Sequence, residues 1–254
     1  MFKELIKKTA AVIFWILIWW LLAVIVAKPL LLPDPVCTAV RLFELAITTE
    51  FWLIVLMSLA RITVGIVASI LIGVVLGILC AKSEIANHLI SPVMSLVKAT
   101  PVASFIMLAL LWLSRDVLPI FISVLIVVPV VVSNIQTGVL SVDKKYLEVA
   151  YVFRFSLKRK LKRIYVPMVY PYFISACKSS LGLAWKAGIA AEVLAVPVLS
   201  IGKMIYDSKL YLETVDLFAW TVVVVLLSAV IEFILCSVFK KFGKAFERQV
   251  QKDA

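Results

Sequence analysis

Five charged side chains fall within the long apolar stretches of this sequence and are its best candidates for chemistry. They are Arg61, Lys178, Lys186, Glu192 and Glu232. A charge at membrane depth is costly, so such residues pair, reach toward the membrane surface or line a solute path. We expect Arg61 to snorkel outward or to pair. For Lys178 two interpretations stay open, namely snorkelling to the inner surface and contact with an oxyanion.

No set of side chains in the sequence is typical of an enzyme. The single histidine is His88, in a predicted cytoplasmic loop, and Glu232 alone could not serve an intramembrane enzyme. There is no glycine-rich phosphate-binding loop, and the four cysteines lack the paired spacing of a zinc site or a disulfide framework. They are Cys37, Cys80, Cys177 and Cys236. We therefore expect a non-catalytic protein without metal or cofactor.

The composition predicts an all-α integral membrane protein of the cell inner or plasma membrane. Of 254 residues, 64% are hydrophobic, and a spanning helix needs about 20 mostly apolar residues. Six stretches qualify, which predicts six transmembrane helices. They are Ala10–Ala27, Ile62–Ala81, Ala99–Ser114, Val117–Val142, Ile164 to about Val196, and Leu217–Phe239.

The net charge of +11 is explained by membrane topology better than by a nucleic-acid partner. With the N-terminus inside, eighteen of the 26 Lys and Arg residues fall in cytoplasmic segments and six in outer loops. An excess of basic residues marks the cytoplasmic side. We expect both termini to be cytoplasmic and nucleic acid not to be a partner.

Small residues, prolines and amides indicate how the spans pack. Gly65, Ser69, Gly73 and Gly77 recur every four residues and predict close helix packing, and Val36–Glu50 predicts an amphipathic outer connector. Prolines are expected to open or break the next two spans. Thr100 and Pro101 open the third span, and Pro129 breaks the fourth above Asn134 and Gln136. Two interpretations of this polar pair stay open, a lined solute pathway and hydrogen bonding between helices.

The segment from Asp143 to Arg163 carries eight basic residues and only two acids, Asp143 and Glu148. Its charge places it outside the bilayer. Apolar residues nevertheless recur at helical spacing, which predicts two short helices. They are Tyr146, Leu147, Ala150, Tyr151 and Phe153, followed by Leu157 and Leu161. The apolar face of such helices must rest on the membrane domain or on another protein.

This segment resembles the EAA motif of the permease subunits of binding-protein-dependent ABC importers, which have the type I, MetI-like fold. Glu148-Val149-Ala150, Arg154 and Ile164-Tyr165-Val166-Pro167 match its spacing at every step. Val149 stands for Ala, Val166 for Leu and Arg154 for a turn glycine. Since arginine adopts positive φ only at a cost, we expect this turn to be made differently, with a longer first helix.

Further stretches resemble the nitrate, sulfonate and taurine group of these permeases. They are Ser58-Leu59-Ala60-Arg61, Ala99-Thr100-Pro101, Leu181-Gly182-Leu183-Ala184-Trp185 and Ala190-Ala191-Glu192. The expected organisation has three parts. Residues 1–50 form the first span and connector, residues 51–240 form the permease core with a coupling segment at about 144–163, and residues 241–254 form a basic cytoplasmic tail.

The resemblance implies that the chain forms a solute pathway and couples it to ATP hydrolysis by other subunits. The implied partners are two cytoplasmic ABC ATPase subunits, a second permease copy and an extracytoplasmic solute-binding protein. The implied coupling residues are Leu147, Glu148, Val149, Ala150, Tyr151, Phe153, Arg154, Phe155, Ile164 and Pro167. Candidate pathway or gate residues are Thr100, Pro101, Asn134, Gln136, Trp185, Lys186 and Glu192.

Two other transporter classes remain open as alternatives. The coupling subunit of an energy-coupling-factor transporter also sends helices into ATPases, but its Ala-Arg-Gly signature does not occur in this sequence. A stand-alone secondary transporter or channel would show an internal hydropathy repeat, and none is evident. The sequence does not indicate which solute is carried; nitrate, sulfonates and thiamine-precursor pyrimidines all fit.

Overall fold

The computed structural model describes residues 2–252, with side chains placed for residues 7, 9–234 and 237. Over this range the chain is helical, which confirms the all-α fold class. The helices are α1 (Phe2–Val26), α2 (Pro35–Ala46), α3 (Thr49–Lys82), α4 (Glu84–Ala99), α5 (Val102–Ala109), α6 (Leu118–Leu140), α7 (Lys144–Val152), α8 (Leu157–Lys160), a π-helical turn (Leu161–Tyr165), α9 (Val166–Ala195), α10 (Ile201–Leu210) and α11 (Thr214–Lys252).

Helix α6 is the centre of the bundle, between α3 and α9. Leu118, Ile122, Val127 and Val131 of α6 have no accessible surface. The predicted small-residue ridge of α3 packs on this helix, and a Cβ atom on Gly73 would lie 2.6 Å from Cβ of Val131. Such contacts leave no room for larger residues. The predicted close packing of this ridge is therefore confirmed.

The predicted break of the fourth span at Pro129 is wrong. Helix α6 runs without interruption from Leu118 to Leu140, with Pro129 buried inside it. Proline removes one N–H of the helical ladder, but neighbouring helices support a membrane helix through such a position.

The predicted third span, residues 99–114, is also wrong as a continuous helix. Pro101 opens a helix as predicted, but this helix, α5, ends at Ala109 and not at residue 114, and its axis differs in direction from that of the preceding α4 by 103°. The break falls at Thr100 and Pro101, because the residue before a proline is pushed out of the helical conformation. Thr100 ends α4 with its hydroxyl donating to the carbonyl of Leu96 at 2.9 Å.

Within the described part of the chain, four helices are long and apolar enough to cross a membrane, and the bent α4–α5 pair would make a fifth span. These four lie at Thr9–Val26, Thr49–Lys82, Leu118–Leu140 and Thr214–Ile234. Helix α9 is 30 residues long but contains Lys178, Lys186 and Glu192, so its composition is more polar. A count of six spans and the side of the termini stay predictions.

Helix α2 is the predicted amphipathic connector, although it ends at Ala46 rather than Glu50. Asp34 begins it by accepting hydrogen bonds from the N–H groups of Cys37 and Val36, both at 2.8 Å, and these donors lower the pKa of its carboxyl. Arg41 binds both carboxylate oxygens of Asp216 at 2.7 and 2.9 Å, which ties α2 to α11.

Helix α11 continues beyond residue 240 to Lys252, so the expected tail is part of a helix as far as the structure describes it.

Candidate coupling helix and solute path

Helix α7 contains the Glu148-Val149-Ala150 sequence and has a defined beginning and end. The Asp143 carboxylate accepts a hydrogen bond from the N–H of Lys145 at 2.9 Å and so caps its first turn. At the other end the N–H of Phe155 donates to the carbonyl of Ala150 at 2.8 Å, and that of Arg154 to Tyr151 at 3.0 Å. This pair of bonds is a Schellman motif.

Arg154 adopts the left-handed conformation, with φ of +48°. The expectation that this turn would be made differently, with a longer first helix, is therefore wrong. Arginine occupies the position and conformation in which the motif has glycine. A non-glycine residue at positive φ costs on the order of 1 kcal/mol, which the two terminal hydrogen bonds offset.

One side of α7 rests on the π-helical turn that leads into α9. Ala150 is completely buried in a cluster with Val142 and Ile164, and Leu147 and Phe155 are half-buried against it. The contact between Phe155 and this cluster is the hydrophobic contact that accompanies a Schellman motif. Four of the ten predicted coupling residues, Leu147, Ala150, Phe155 and Ile164, thus anchor the helix within this chain.

The opposite side of α7 is apolar but uncovered. We call it the exposed α7 face, and it consists of Tyr146 (55% exposed), Val149 (50%), Tyr151 (80%), Val152 (73%) and Phe153 (69%). Glu148 is also exposed, and among the described residues it has no hydrogen bond or ion pair. An apolar patch of this kind outside the bilayer is typical of a protein-binding surface.

A short rigid path connects α7 with α9. Ser156 caps α8 by accepting from the N–H of Arg159 at 3.4 Å, and the Arg159 guanidinium lies 5.3 Å above the Phe155 ring. The π-helical turn Leu161–Tyr165 then leads into α9, where Pro167 lies in the first turn. Proline has no N–H to donate and is well tolerated there. Contacts and helical turns thus follow one another along the chain from the end of α7 to α9.

At its other end α9 is joined to α3 and α10 by a buried polar network. Glu192, which has no accessible surface, accepts hydrogen bonds from the Ser58 hydroxyl at 2.7 Å and from the N–H of Gly202 at 3.2 Å. Nη1 of Arg61 lies 3.6 Å from its second carboxylate oxygen. The carboxylate lies at the N-terminus of α10, where backbone N–H groups stabilise negative charge.

Arg61 forms ion pairs and hydrogen bonds, which confirms one of the two expectations for it. Its Nη2 donates to Asp116 at 2.7 Å and to the carbonyl of Val198 at 2.9 Å, while Nη1 donates to the carbonyl of Leu199 at 3.0 Å. Val196 and Leu199 both have φ of +51°. The guanidinium therefore holds a strained connection between α9 and α10.

The other candidate pathway residues differ in accessibility. Trp185 is 3% exposed and donates to the carbonyl of Val224 at 3.1 Å, so like Glu192 it is not open to a solute. Gln136 donates to Asn87 of α4 at 2.9 Å, and Asn134 donates within its own helix, which favours the hydrogen-bonding interpretation for this pair. Lys186 is exposed, and Thr100 and Pro101 lie at the α4–α5 break.

Several partners of Glu192 and Arg61 had no role assigned from the sequence. Ser58 was quoted only as part of a stretch that resembles the family, Asp116 is an exposed acid outside any motif, and Gly202 and the carbonyls of residues 198 and 199 carry no distinctive sequence signal. The one available signal was Arg61 itself, since a charge in an apolar stretch requires partners.

The chain is similar to known membrane transport proteins. Residues 73–251 match the family model described as binding-protein-dependent transport system inner membrane component. The putative aliphatic sulfonates transport permease protein SsuC of Bacillus subtilis is 26% identical over 200 residues, 78% of this chain and 72% of the relative. The taurine transport system permease protein TauC of Escherichia coli is 24% identical over 225 residues, 85% and 80% of the two chains.

A third relative is matched over a shorter region. The nitrate import permease protein NrtB of Leptolyngbya laminosa is 29% identical over 160 residues, 62% of this chain and 56% of the relative. For the nitrate and bicarbonate permeases the match thus spans little more than half of their length. The family match covers most of the chain, and the chain has several apolar helices. The protein therefore belongs to the multi-pass inner membrane components of binding-protein-dependent transport systems.

Proposed function

We propose that this membrane component is driven by a cytoplasmic ABC ATPase that binds the exposed α7 face. The observation that carries the proposal is the division of α7 into a side anchored next to α9 and an uncovered apolar side, on a segment whose charge predicts a position outside the bilayer. Burial of this second side requires another protein. A helix lying in a groove of its partner satisfies that requirement.

The same geometry supports a route for the transmission of movement. When two ATPase subunits close on ATP, a helix bound to each of them is displaced. Because Ala150 and Phe155 fix α7 to the base of α9, that displacement reaches α9 and, through Glu192, α3 and α10. Rigid elements that move together in this way produce alternating access. The chain itself has no part in the hydrolysis of ATP.

We also propose that two copies of this chain face each other across the solute path, with six crossings each. The crossings are α1, α3, the α4–α5 pair, α6, α9 and α11, and both termini are cytoplasmic. Helix α9 supports the sixth crossing because α3, α6 and α11 cover part of its surface, so it needs less apolar surface than a lipid-facing helix. Small solutes such as the sulfonates, nitrate, bicarbonate and taurine named for its relatives are candidate substrates. A formylaminopyrimidine is a further candidate.

Charge reversal at Glu148 tests the proposed docking. Glu148 is exposed and is the one acid of the segment not used within it, since Asp143 caps α7. Glu148→Lys is expected to abolish uptake and to weaken capture of the ATPase by the tagged permease, with membrane insertion unchanged. Glu84→Lys, the same reversal on exposed α4, serves as the control and is expected to retain both. Full uptake by Glu148→Lys would refute the docking.

A further inference from the structure

One face of α9 is exposed, yet it is unlike the lipid-facing surfaces of the other long helices. Its members are Pro171, Ser175, Lys178, Ser179, Gly182, Leu183, Lys186 and Ala190. By contrast, α1 exposes Trp15 (66%) and Ile25 (69%), and α11 exposes Phe233 (74%). Small and cationic side chains on an exposed helix face do not match a hydrocarbon solvent.

Lys178 lies far from both ends of α9. Lys178 lies about 18 Å along the helix axis from Val166 and about 25 Å from Ala195, at 1.5 Å per residue. A lysine side chain extends roughly 6 Å on its four-carbon stem. With a hydrocarbon layer of about 30 Å centred on α9, snorkelling, one of the two interpretations for Lys178, would leave its charge within that layer.

Neither lysine is neutralised within the chain. In the part of the chain that the structure describes, no ion pair includes Lys178 or Lys186. Glu192, the acid of the same helix, is committed to Ser58, Arg61 and Gly202 and is fully buried. The exposed face thus presents two positive charges about 12 Å apart along the axis, with Gly182 midway between them.

A second copy of the chain cannot cover this face by dry packing. Two such faces in direct contact would bring four unpaired ammonium groups together out of water, which is strongly unfavourable. Water between the two faces removes that penalty, and an anion moving through this water would be attracted by the lysines. The proposed arrangement of two copies around a solute path supplies this space.

We propose that the exposed face of α9 is the wall of the solute path, that Lys178 and Lys186 are two successive anion-contacting positions on it, and that the solute carried is an anion. The inference rests on the proposed permease function and deepens it. The small residues between the lysines, Ser179 and Gly182, leave room for a hydrated anion to pass. A Cβ atom on Gly182 would meet nothing within 4 Å.

Thiol-reactive probes of opposite charge test this proposal without knowledge of the solute. A cysteine is introduced as Gly182→Cys after the native cysteines are replaced by serine, and the intact importer is labelled in membrane vesicles. The probes are the anionic sulfonatoethyl and the cationic trimethylammonioethyl methanethiosulfonates. Relative to a free thiol, Gly182→Cys is expected to favour the anionic probe by about tenfold, because both lysines lie within one to two helical turns.

Matched variants separate the contributions of water and charge. Adding Lys178→Gln and Lys186→Gln is expected to return the ratio of the two rates to that of a free thiol. Leu71→Cys, on an exposed apolar face of α3, is expected to react with neither probe, since both require water. Ser179→Cys provides a second position on the same face, in case Gly182→Cys disturbs folding.

The outcomes decide the proposal. Failure of both Gly182→Cys and Ser179→Cys to react would refute the wall, and equal reaction with both probes would refute anion selection. Capture of the ATPase is measured in the same membranes. Loss of capture with the anionic preference intact would refute the docking of α7 alone, whereas normal capture with no anionic preference would refute the lysine path alone.

Discussion

The Ser58 hydroxyl donates a 2.7 Å hydrogen bond to the carboxylate of Glu192, within the bundle and sealed from solvent. The same hydroxyl oxygen accepts from the N–H of Ile201 at 2.9 Å. This contact joins three helices, because Ser58 lies on α3, Glu192 near the end of α9 and Ile201 at the start of α10. A buried acid held in this way has a structural role, namely to join the three helices.

Removal of the Glu192 carboxylate should strongly destabilise the fold. Glu192→Ala leaves the Ser58 hydroxyl and the Gly202 N–H without an acceptor and Arg61 without one of its anions. Breaking a buried charged network of this kind costs about 3–5 kcal/mol. We expect a clear fall in the thermal unfolding midpoint of the purified protein. Glu213→Ala removes an exposed carboxylate and should leave the midpoint unchanged; equal midpoints for the two variants would contradict the structural role of Glu192.

Gly202 is required by the close approach of α10 to α9. A Cβ atom at this position would collide with the backbone of Glu192 and Val193. Because backbone atoms cannot move aside as a side chain can, we expect Gly202→Ala to lower the yield of folded protein and its unfolding midpoint. Gly182→Ala is the matched control, since its Cβ would enter open space. Normal folding of Gly202→Ala would show that α10 does not lie as described.

The left-handed residue at the end of α7 leads to a third prediction. Glycine pays no steric penalty at positive φ, so Arg154→Gly should stabilise the end of α7 by about 0.5–1 kcal/mol or leave it unchanged. Arg154→Val should weaken it, because a β-branched residue is poorly accommodated there. Hydrogen exchange of the Phe155 N–H reports the difference directly. Faster exchange in Arg154→Gly than in Arg154→Val would contradict the Schellman motif.

The two sides of α7 should respond differently to a large side chain. Ala150 is fully buried between Val142 and Ile164, so Ala150→Phe should displace α7 and destabilise the protein by about 1–3 kcal/mol. Val152, which is 73% exposed, can accept the same residue, and Val152→Phe should unfold at the wild-type temperature. The thermal unfolding midpoint of each variant is the measurement. If Ala150→Phe unfolded at the same temperature as the wild type, the described position of α7 against Val142 and Ile164 would be contradicted.

The sequence predicted the parts of this protein that depend on pattern. Helical spacing of Tyr146, Leu147 and Ala150 located α7, and the small-residue ridge located the α3–α6 contact, because both follow from residue period alone. The helix boundary at Thr100 and Pro101 was predicted, whereas the early end of α5 at Ala109 and the unbroken course of α6 through Pro129 were not. Proline constrains its own backbone in both places, and only the neighbouring helices decide whether the helix continues.

The partners of the buried charges could not be predicted in the same way. Arg61 required a counter-charge and has two, Asp116 and Glu192, but its other bonds go to the carbonyls of residues 198 and 199, which any sequence could supply. The conformation of Arg154 was predicted incorrectly because intrinsic preference disfavours positive φ for arginine. The two hydrogen bonds of the helix end outweigh that preference.

Photo-crosslinking from Tyr151 tests the central claim most directly. Tyr151 is 80% exposed on the face proposed to bind the ATPase, and Trp112, 73% exposed between α5 and α6, serves as the comparison. With a photoreactive phenylalanine at each position in the intact importer, we predict an adduct with the ATPase from position 151 and none from position 112. Absence of that adduct from position 151, in an importer that still carries out uptake, would contradict the account.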